Sequence, residues 1–311
     1  MENQKKFYQN TFFVAIAAIL CCALWGSATP FIKTGYKLML PENLEGIQKT
    51  ASTILFAGVR FTFAGILTVL IYSIARKKFL YPKKENLKKV ATVSLFQTVI
   101  QYFFFYIGLA NTSGVKGTVL SGSNAFFALL VASLIFRQEK LTFKKIFACI
   151  LGFSGIILIN LNGLDLNMNF TGDCFVIFST IAYAVSSVLM KRYSSYEDPV
   201  VISGYQFFMG GIVMIIAGIC FGGVMFVPSI TAFLVLTYLA MLSAVAYALW
   251  GVLLKHNPVS KVTIYSFSIP VFGVLLSNMM LSEQSNVEPL NLLFTLILIC
   301  TGIIILNYNK K

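Results

Sequence analysis

The sequence predicts an all-α membrane protein with ten transmembrane helices in two inverted five-helix repeats. Three observations support this prediction: the composition, ten apolar stretches of membrane-spanning length, and an internal repeat. Of the 311 residues, 58% are apolar and 11% are charged, whereas about 25% of the residues in soluble domains are charged. Helices with so few polar residues have no face to turn towards water, so their solvent is a lipid bilayer. A water-soluble protein is thereby excluded.

Ten stretches are apolar enough to cross the hydrocarbon core, which takes about 20 helical residues. The fifth and tenth are short, and the third contains Gln97 and Gln101. Lys5 and Lys6 before the first stretch resemble a signal peptide, but we interpret that stretch as an uncleaved helix. The predicted spans are 11–32, 53–74, 90–110, 117–136, 146–160, 171–190, 200–220, 231–254, 262–281 and 290–306.

The basic residues predict the orientation of these spans. With both termini in the cytoplasm, the cytoplasmic segments hold 19 of the 24 Lys and Arg residues, and the outer segments hold four. This distribution follows the positive-inside rule and favours an even number of crossings. The net charge of +13 therefore indicates topology, and no nucleic-acid partner is expected. We expect a multi-pass protein of the plasma (inner) membrane, whose partners are the lipid bilayer and a small-molecule substrate. The sequence leaves the oligomeric state open.

The two halves of the chain are related by an internal repeat. Their boundaries are predicted at residues 1–163 and 164–311. The second and seventh spans match at an offset of 146, the third and eighth at 145, and the first and sixth at 158. Matched pairs include Gly58 with Gly204, Phe61 with Phe207, Gly65 with Gly211, Tyr102 with Tyr247, Lys116 with Lys261, Trp25 with Tyr183 and Lys33 with Lys191.

Each half has five crossings, so the second copy enters the membrane from the opposite side. Inverted repeats of this kind are typical of alternating-access transporters, whose substrate site lies near the midplane between the halves. The sequence therefore predicts a transporter. A scaffold or sensor remains open as an alternative, and it would show no flux in proteoliposomes.

Short motifs in a fixed order strengthen this interpretation. They are Ala23-Leu24-Trp25-Gly26-Ser27, Pro30 and Lys33 in the first span, Arg60-Phe61 in the second, Glu139-Lys140-Leu141-Thr142 after the fourth, Gly152, Gly155 and Ile156-Ile157 in the fifth, Gly172-Asp173 in the sixth, and Pro270-Val271-Phe272 before Glu283. In this order they resemble the EamA group of the drug/metabolite transporter superfamily, over about residues 10–308.

The resemblance implies a ten-helix permease, often an exporter of amino acids or other small metabolites. Two features depart from the family pattern. The connection from Lys33 to Ala51 is longer than the short first loop common in that family. If Glu139 is matched with Glu283, Phe126 faces Pro270, where the resemblance predicts a proline.

Arg60 is the one ionisable residue well inside a predicted span. Charges within a membrane are costly, and they mark functional sites by default. A guanidinium at this depth suits a carboxylate or another anion. Bonding to carbonyl groups between helices, or snorkelling outward, is the structural alternative. The repeat partner of Arg60 is the neutral Gln206.

Neutral polar and aromatic residues in the spans complete the candidate site. We favour Trp25, Tyr102, Tyr183 and Tyr247 as cavity walls because the repeat places them in equivalent positions. Gln101 adjoins Tyr102. The predicted substrate-binding residues are Trp25, Arg60, Gln101, Tyr102, Tyr183, Gln206 and Tyr247.

No acid lies deep in a span, and this disfavours a multidrug cation antiporter with a buried carboxylate. Glu139 and Glu283 are interpreted as helix-end anchors. The sequence has no Walker loop, no H-E-x-x-H and no Cys/His cluster of metal-ligand spacing, so we expect no catalytic residue, cofactor or metal. Two alternatives remain: a carrier of phosphorylated or nucleotide sugars, which needs several buried cations, and an intramembrane enzyme.

Overall fold

The computed structural model describes residues 2–112, 114–160, 167–281 and 289–307, and it is all-helical over these residues. A short N-terminal helix, Glu2–Gln9, precedes ten long helices that we number in chain order. Their bounds are Thr11–Met39, Gly46–Ala75, Lys84–Ala110, Lys116–Ile135, Phe143–Ile159, Phe170–Tyr193, Pro199–Cys220, Ile230–His256, Val259–Thr263 continuing through Ile264–Ser268 and Ile269–Leu281, and Pro289–Asn307.

Nine of these helices, among the described residues, are long and apolar enough to cross a membrane. The remaining one, the fifth, has 17 residues, which is about 25 Å of helix. It packs along the tenth helix, as a shortened member of the same bundle. The ten predicted helices are therefore all present in the predicted order.

Several helices extend beyond the predicted spans. The first continues from Ile32 to Met39, and the second already begins at Gly46. The connection that looked long in the sequence is therefore a six-residue turn, 40–45, between two helical extensions. This also moves Arg60 to the middle of a 30-residue helix, rather than a third of the way along it.

Short stretches of other helical geometry interrupt four of the membrane helices. The fourth ends in a π-helical segment, Val131–Ile135. The third has a π-helical segment at Leu95–Ile100, just before Gln101. The sixth begins with another, Phe170–Cys174, and the ninth contains a 3₁₀ segment, Ile264–Ser268. Such segments widen or tighten a helix locally and are frequent at functional sites.

The packing of the helices follows the repeat. The second helix contacts the seventh and the fifth contacts the tenth, which are repeat-equivalent pairs. Other contacts come in mirrored sets, because the third helix packs on the sixth as the eighth packs on the first. The repeat is thus a pseudo-twofold relation between the described helices. The predicted boundary at Gly163 lies outside the described residues.

Glycines bring the two central helices into backbone contact. Gly58 faces Gly211, and Gly65 faces Gly204. A Cβ added at Gly65 would lie 2.5 Å from the Phe208 nitrogen and 2.6 Å from the Gly204 oxygen. Because the residue numbers rise on one helix as they fall on the other, the two helices are antiparallel, as an inverted repeat requires. Small residues at such a crossing permit close approach of membrane helices.

Candidate substrate cavity

A cavity of about 360 Å³ lies between the two halves of the bundle. We call the end of the bundle with the connections 76–83, 136–142, 194–198 and 257–258 the basic end, and the other the opposite end. The wall of the cavity comes from seven helices: the first, second, third, fourth, sixth, eighth and ninth. Six of the seven predicted site residues line it: Trp25, Arg60, Gln101, Tyr102, Tyr183 and Tyr247.

Arg60 is the buried cation of this wall, with 4% of its surface exposed. Its Nε donates to the Leu239 carbonyl at 3.3 Å, and its Nη2 donates to Ser243 Oγ at 2.9 Å. The guanidinium also lies 5.1 Å from the ring centre of Phe61. These contacts fix the charge at the cavity without an acid partner among the described residues, so the positive charge remains available to a solute.

Two tyrosines meet at the pseudo-twofold axis. The hydroxyl groups of Tyr102 and Tyr247 are 2.9 Å apart, and the repeat makes these residues equivalent. Phe61 stacks on its own equivalent, Phe207, with ring centres 5.1 Å apart. The axis therefore passes beside the cavity at the level of Arg60, near the middle of the bundle.

Several polar atoms in this wall have no hydrogen-bond partner among the described residues. They are Trp25 Nε1, Gln101 Oε1 and Ser121 Oγ. A buried donor or acceptor without a partner costs free energy. Such atoms in a cavity wall suit a polar solute or water.

Gln206 lies outside the lining of this cavity. It is fully buried, and its Oε1 accepts from Thr98 Oγ1 at 2.5 Å. Its backbone oxygen accepts from Ser94 Oγ at 2.7 Å. The side chain therefore bridges the seventh helix to the π-helical region of the third.

The cavity is open towards the opposite end of the bundle. A second space of about 840 Å³ between the second and third helices adjoins it through Tyr36, Tyr106 and Leu109, and its rim includes Ile47 and Asn111. The lining that contains Arg60 thus extends to this end of the bundle.

The basic end is closed by packing and polar contacts. The rings of Trp25 and Trp250 pack at 4.9 Å, and Cys22 Sγ donates to the Tyr265 carbonyl at 3.2 Å. Lys191 Nζ donates to the Leu254 carbonyl at 3.1 Å and to the Asn257 carbonyl. These contacts join the first, sixth, eighth and ninth helices.

The acids of the bundle have partners at its two ends. Glu139 pairs with Lys145 at 2.5 Å and accepts from the Ser260 nitrogen at 3.0 Å. It thereby anchors the start of the ninth helix, as the sequence predicted. Asp173 pairs with Lys116 at 2.6 Å. Glu283 lies outside the described residues.

Sequence reasoning missed several members of the wall. Lys33 and Tyr36 lie beyond residue 32, where the first predicted span ends, but the extended first helix places them in the cavity lining. Tyr106 was missed because it belongs to a run of aromatic residues, 102–106, in which nothing distinguishes it. Ser179 and Thr180 were missed because their repeat partners are cysteines, although the offset of 158 that links the first and sixth spans already pointed to them.

Among the described residues, no group of three or more His, Cys, Asp or Glu side chains is placed to hold a metal ion. The six cysteines are free. His256 stacks on Tyr8 at the end of the eighth helix, outside the cavity lining.

A duplicated bundle of membrane-spanning helices around a central cavity is the architecture of a membrane transporter. Comparison with known families agrees: the family model described as the EamA-like transporter family matches residues 12–161 and again 170–308. The chain therefore belongs to the EamA-like transporter family, within the drug/metabolite transporter superfamily.

Individual relatives are also described as transporters. The chain is 26% identical to the uncharacterized transporter YvbV of Bacillus subtilis over 83% of each chain. It is 26% identical to the uncharacterized transporter sll0355 of Synechocystis, covering 88% of this chain and 84% of that one. A solved crystal structure shares the fold with a TM-score of 0.76 at 15% identity, covering 94% of this chain and 96% of the other.

Proposed function

We propose that the protein exports a small metabolite with one carboxylate, such as an amino acid or a monocarboxylate, by alternating access. The observation that carries the proposal is Arg60, a buried cation at the middle of its helix. It faces a cavity whose described lining contains no acid. A fixed guanidinium is a good partner for a carboxylate because it presents several N–H donors in one plane.

The rest of the wall suits a zwitterion or a compact organic acid. Trp25, Tyr36, Tyr102, Tyr106 and Tyr247 present aromatic surface, on which an ammonium group or an apolar side chain packs favourably. The unpartnered Gln101 Oε1 offers an acceptor for an ammonium group. Charge, acceptor and aromatic surface together match a solute of a few polar groups.

A phosphorylated or nucleotide sugar is a weaker match. It carries two or more negative charges, and the candidate second cation Lys116 is neutralised by Asp173 at 2.6 Å. Lys33, the other cation in the lining, belongs to the first helix two turns beyond Trp25, towards the opposite end. An intramembrane enzyme is weaker still, because the described residues of the cavity lining include no histidine or carboxylate to act as a base.

The distribution of Lys and Arg supports an orientation with the basic end in the cytoplasm. Both termini then lie in the cytoplasm of a plasma (inner) membrane protein, and this structure is outward-open. Export as the direction of transport is supported by the resemblance to a family whose members often export metabolites.

Counterflow in liposomes tests the proposal. We expect Arg60→Gln to lower kcat/KM for carboxylate solutes about tenfold or more, because a hydrogen bond to a charged group is lost. Arg60→Lys keeps the positive charge but loses the planar set of N–H donors, so its kcat/KM should lie between the values of the unmodified protein and Arg60→Gln. The matched control is Arg76→Gln, a partly exposed residue paired with Asp198 at the basic end. Unchanged uptake of a carboxylate panel by Arg60→Gln would remove Arg60 from the site.

A further inference from the structure

The contacts of Arg60 and Gln206 are mirror images. Arg60 contacts Leu239 and Ser243 on the eighth helix. Subtracting the repeat offset of 145 from these two positions gives Ser94 and Thr98, which are the residues that contact Gln206. The sequence offsets therefore describe a geometric equivalence between the two halves, residue by residue. The side chains of Arg60 and Gln206 bond the equivalent hydroxyl groups of Ser243 and Thr98, whereas the contacts with Leu239 and Ser94 each use a backbone carbonyl.

The two halves differ at the cavity, because one surface is packed closed and its mirror surface is open. On the basic side, Cys22 contacts the Tyr265 carbonyl at 3.2 Å, and Cys21 contacts the Ala246 carbonyl at 3.5 Å. The mirror positions of Cys21, Cys22 and Ala246 are Ser179, Thr180 and Gln101, and all three line the open cavity. The same pair of surfaces is thus closed on one side of the axis and open on the other.

The closed side contains unpartnered donors. Gln206 Nε2 and Trp250 Nε1 have no hydrogen-bond acceptor among the described residues, although the two residues are 0% and 2% exposed. Their mirror positions, Arg60 and Phe105, both line the open cavity. Buried N–H groups without an acceptor are rare because they are costly. Two of them on one closed surface point to a ligand that accepts hydrogen bonds.

We propose that the closed surface at the basic end is a second solute site, formed when this end opens and the opposite end closes. It is lined by the mirror residues Gln206, Trp250, Ser187, Cys21 and Cys22. There the solute carboxylate accepts from the amide of Gln206 and the indole of Trp250 rather than from a guanidinium. The substrate class and the opening of this end rest on the function proposed above, whereas the choice of lining residues rests on the mirror geometry.

Unequal binding of an anionic solute at the two sides follows. Hydrogen bonds from a charged donor are roughly twice as strong as those between neutral groups. The site reached from the opposite end, which contains Arg60, therefore binds a carboxylate more tightly than the site reached from the basic end. Trp25, Tyr102, Tyr183 and Tyr247 belong to both sites, since the repeat exchanges them in pairs.

Thiol labelling tests the second site without any transported solute. The native Cys22 reports on the basic side, and Thr180→Cys reports on its mirror position in the open cavity. Lys191→Met removes the Lys191 bonds to the Leu254 and Asn257 carbonyls that close the basic end. With an impermeant methanethiosulfonate reagent on the basic side, we expect this variant to label Cys22 severalfold faster. Labelling of Thr180→Cys from the opposite side should slow in parallel.

Cys149 is the internal control, because it is 1% exposed and lies outside both sites. Labelling of Cys149 together with Cys22 would indicate loosening of the whole bundle and would count against the proposal. Cys22 that stays unlabelled while Thr180→Cys labels at an unchanged rate would overturn it. Either result leaves the Arg60 counterflow experiment intact, so the two proposals fail separately.

A side-specific affinity measurement tests the role of Gln206. Gln206→Arg gives the basic-side site the guanidinium that its mirror already has. For a carboxylate solute, we expect KM measured from the basic side to fall about tenfold, with a smaller effect from the opposite side. Gln206→Leu should raise the basic-side KM and leave the opposite-side KM within about twofold. Equal changes on both sides would assign Gln206 a purely structural role.

Discussion

The buried charged residues Arg60 and Asp173 differ in the partners that surround their charges. Arg60 is held by a carbonyl, a hydroxyl and an aromatic ring, so its charge is positioned but not neutralised. Asp173 is held by Lys116 and by Thr112 Oγ1 at 2.5 Å, so its charge is neutralised. This difference separates a candidate binding residue from a structural one better than depth in the membrane does.

The Lys116–Asp173 pair leads to a stability prediction. Removing one partner of a buried ion pair leaves an uncompensated charge, which costs about 3 to 5 kcal/mol, whereas replacing both with apolar residues is often nearly neutral. We therefore expect Asp173→Asn to lower the Tm in detergent markedly, and Lys116→Met with Asp173→Leu to recover most of the loss. Arg76→Gln, which breaks a partly exposed pair, is the control and should change Tm little. A double variant with a Tm no higher than that of Asp173→Asn would contradict the explanation by an uncompensated charge.

Among single residues, those at the centre of the site could be predicted from the sequence, whereas those at the open end of the cavity could not. Trp25, Arg60 and Tyr247 could be predicted because a rare charge or a repeat partner distinguishes them. Tyr36 could not, because a hydropathy scan ends the first span at Lys33. Gln206 was paired correctly with Arg60, but the repeat gives no indication of which member of a pair faces the cavity in one conformation.

At the scale of elements, the second and seventh helices are held together by backbone contact at glycines. A Cβ at Gly65, Gly58 or Gly211 would meet backbone atoms of the facing helix within 2.9 Å, and backbone atoms cannot move aside as a flexible side chain can. The second and seventh helices thus form the rigid centre around which the other helices are placed.

The glycine contact predicts a sharp difference between two alanine substitutions. Gly65→Ala should destabilise the protein by about 1 to 3 kcal/mol, because an added methyl group overpacks a tight crossing. Gly273→Ala is the matched control, since its Cβ would have its nearest neighbour, the Gly26 oxygen, at 3.7 Å. It should be neutral or slightly stabilising. Thermal unfolding followed by tryptophan fluorescence measures both, and equal Tm values for the two variants would contradict this account of the crossing.

The number and order of the helices followed from composition and hydropathy, but their ends did not. Hydropathy reports where lipid begins, whereas a helix ends where its backbone hydrogen bonds end. The residues 33–39 and 46–52 continue their helices in a polar setting, so the scan interpreted a six-residue turn as a long loop. The π-helical and 3₁₀ segments could not be predicted either, because a pattern of apolar residues does not distinguish them from α-helix.

For the whole molecule, the repeat predicted the architecture but not the conformation. Two equivalent halves allow two mirrored poses, and the sequence is the same in both. The structure shows the pose with Ser179 and Thr180 open and Cys21 and Cys22 closed. The two conformations differ chemically at positions where the repeat is not exact. The main example is the charged Arg60, whose equivalent is the neutral Gln206.

The orientation in the membrane gives the last prediction. Basic residues concentrate at one end of the bundle, and the translocation of such segments is disfavoured. We therefore expect reporters fused at Lys83 and Lys311 to be cytoplasmic, and reporters at Glu45 and Gly222 to be external. Glu45 and Gly222 lie in connections at the opposite end, one in each half of the chain, so each repeat supplies its own external marker. A reporter at Glu45 on the same side as one at Lys83 would break the ten-helix arrangement. A full reversal of all four would keep the arrangement and turn the open cavity towards the cytoplasm.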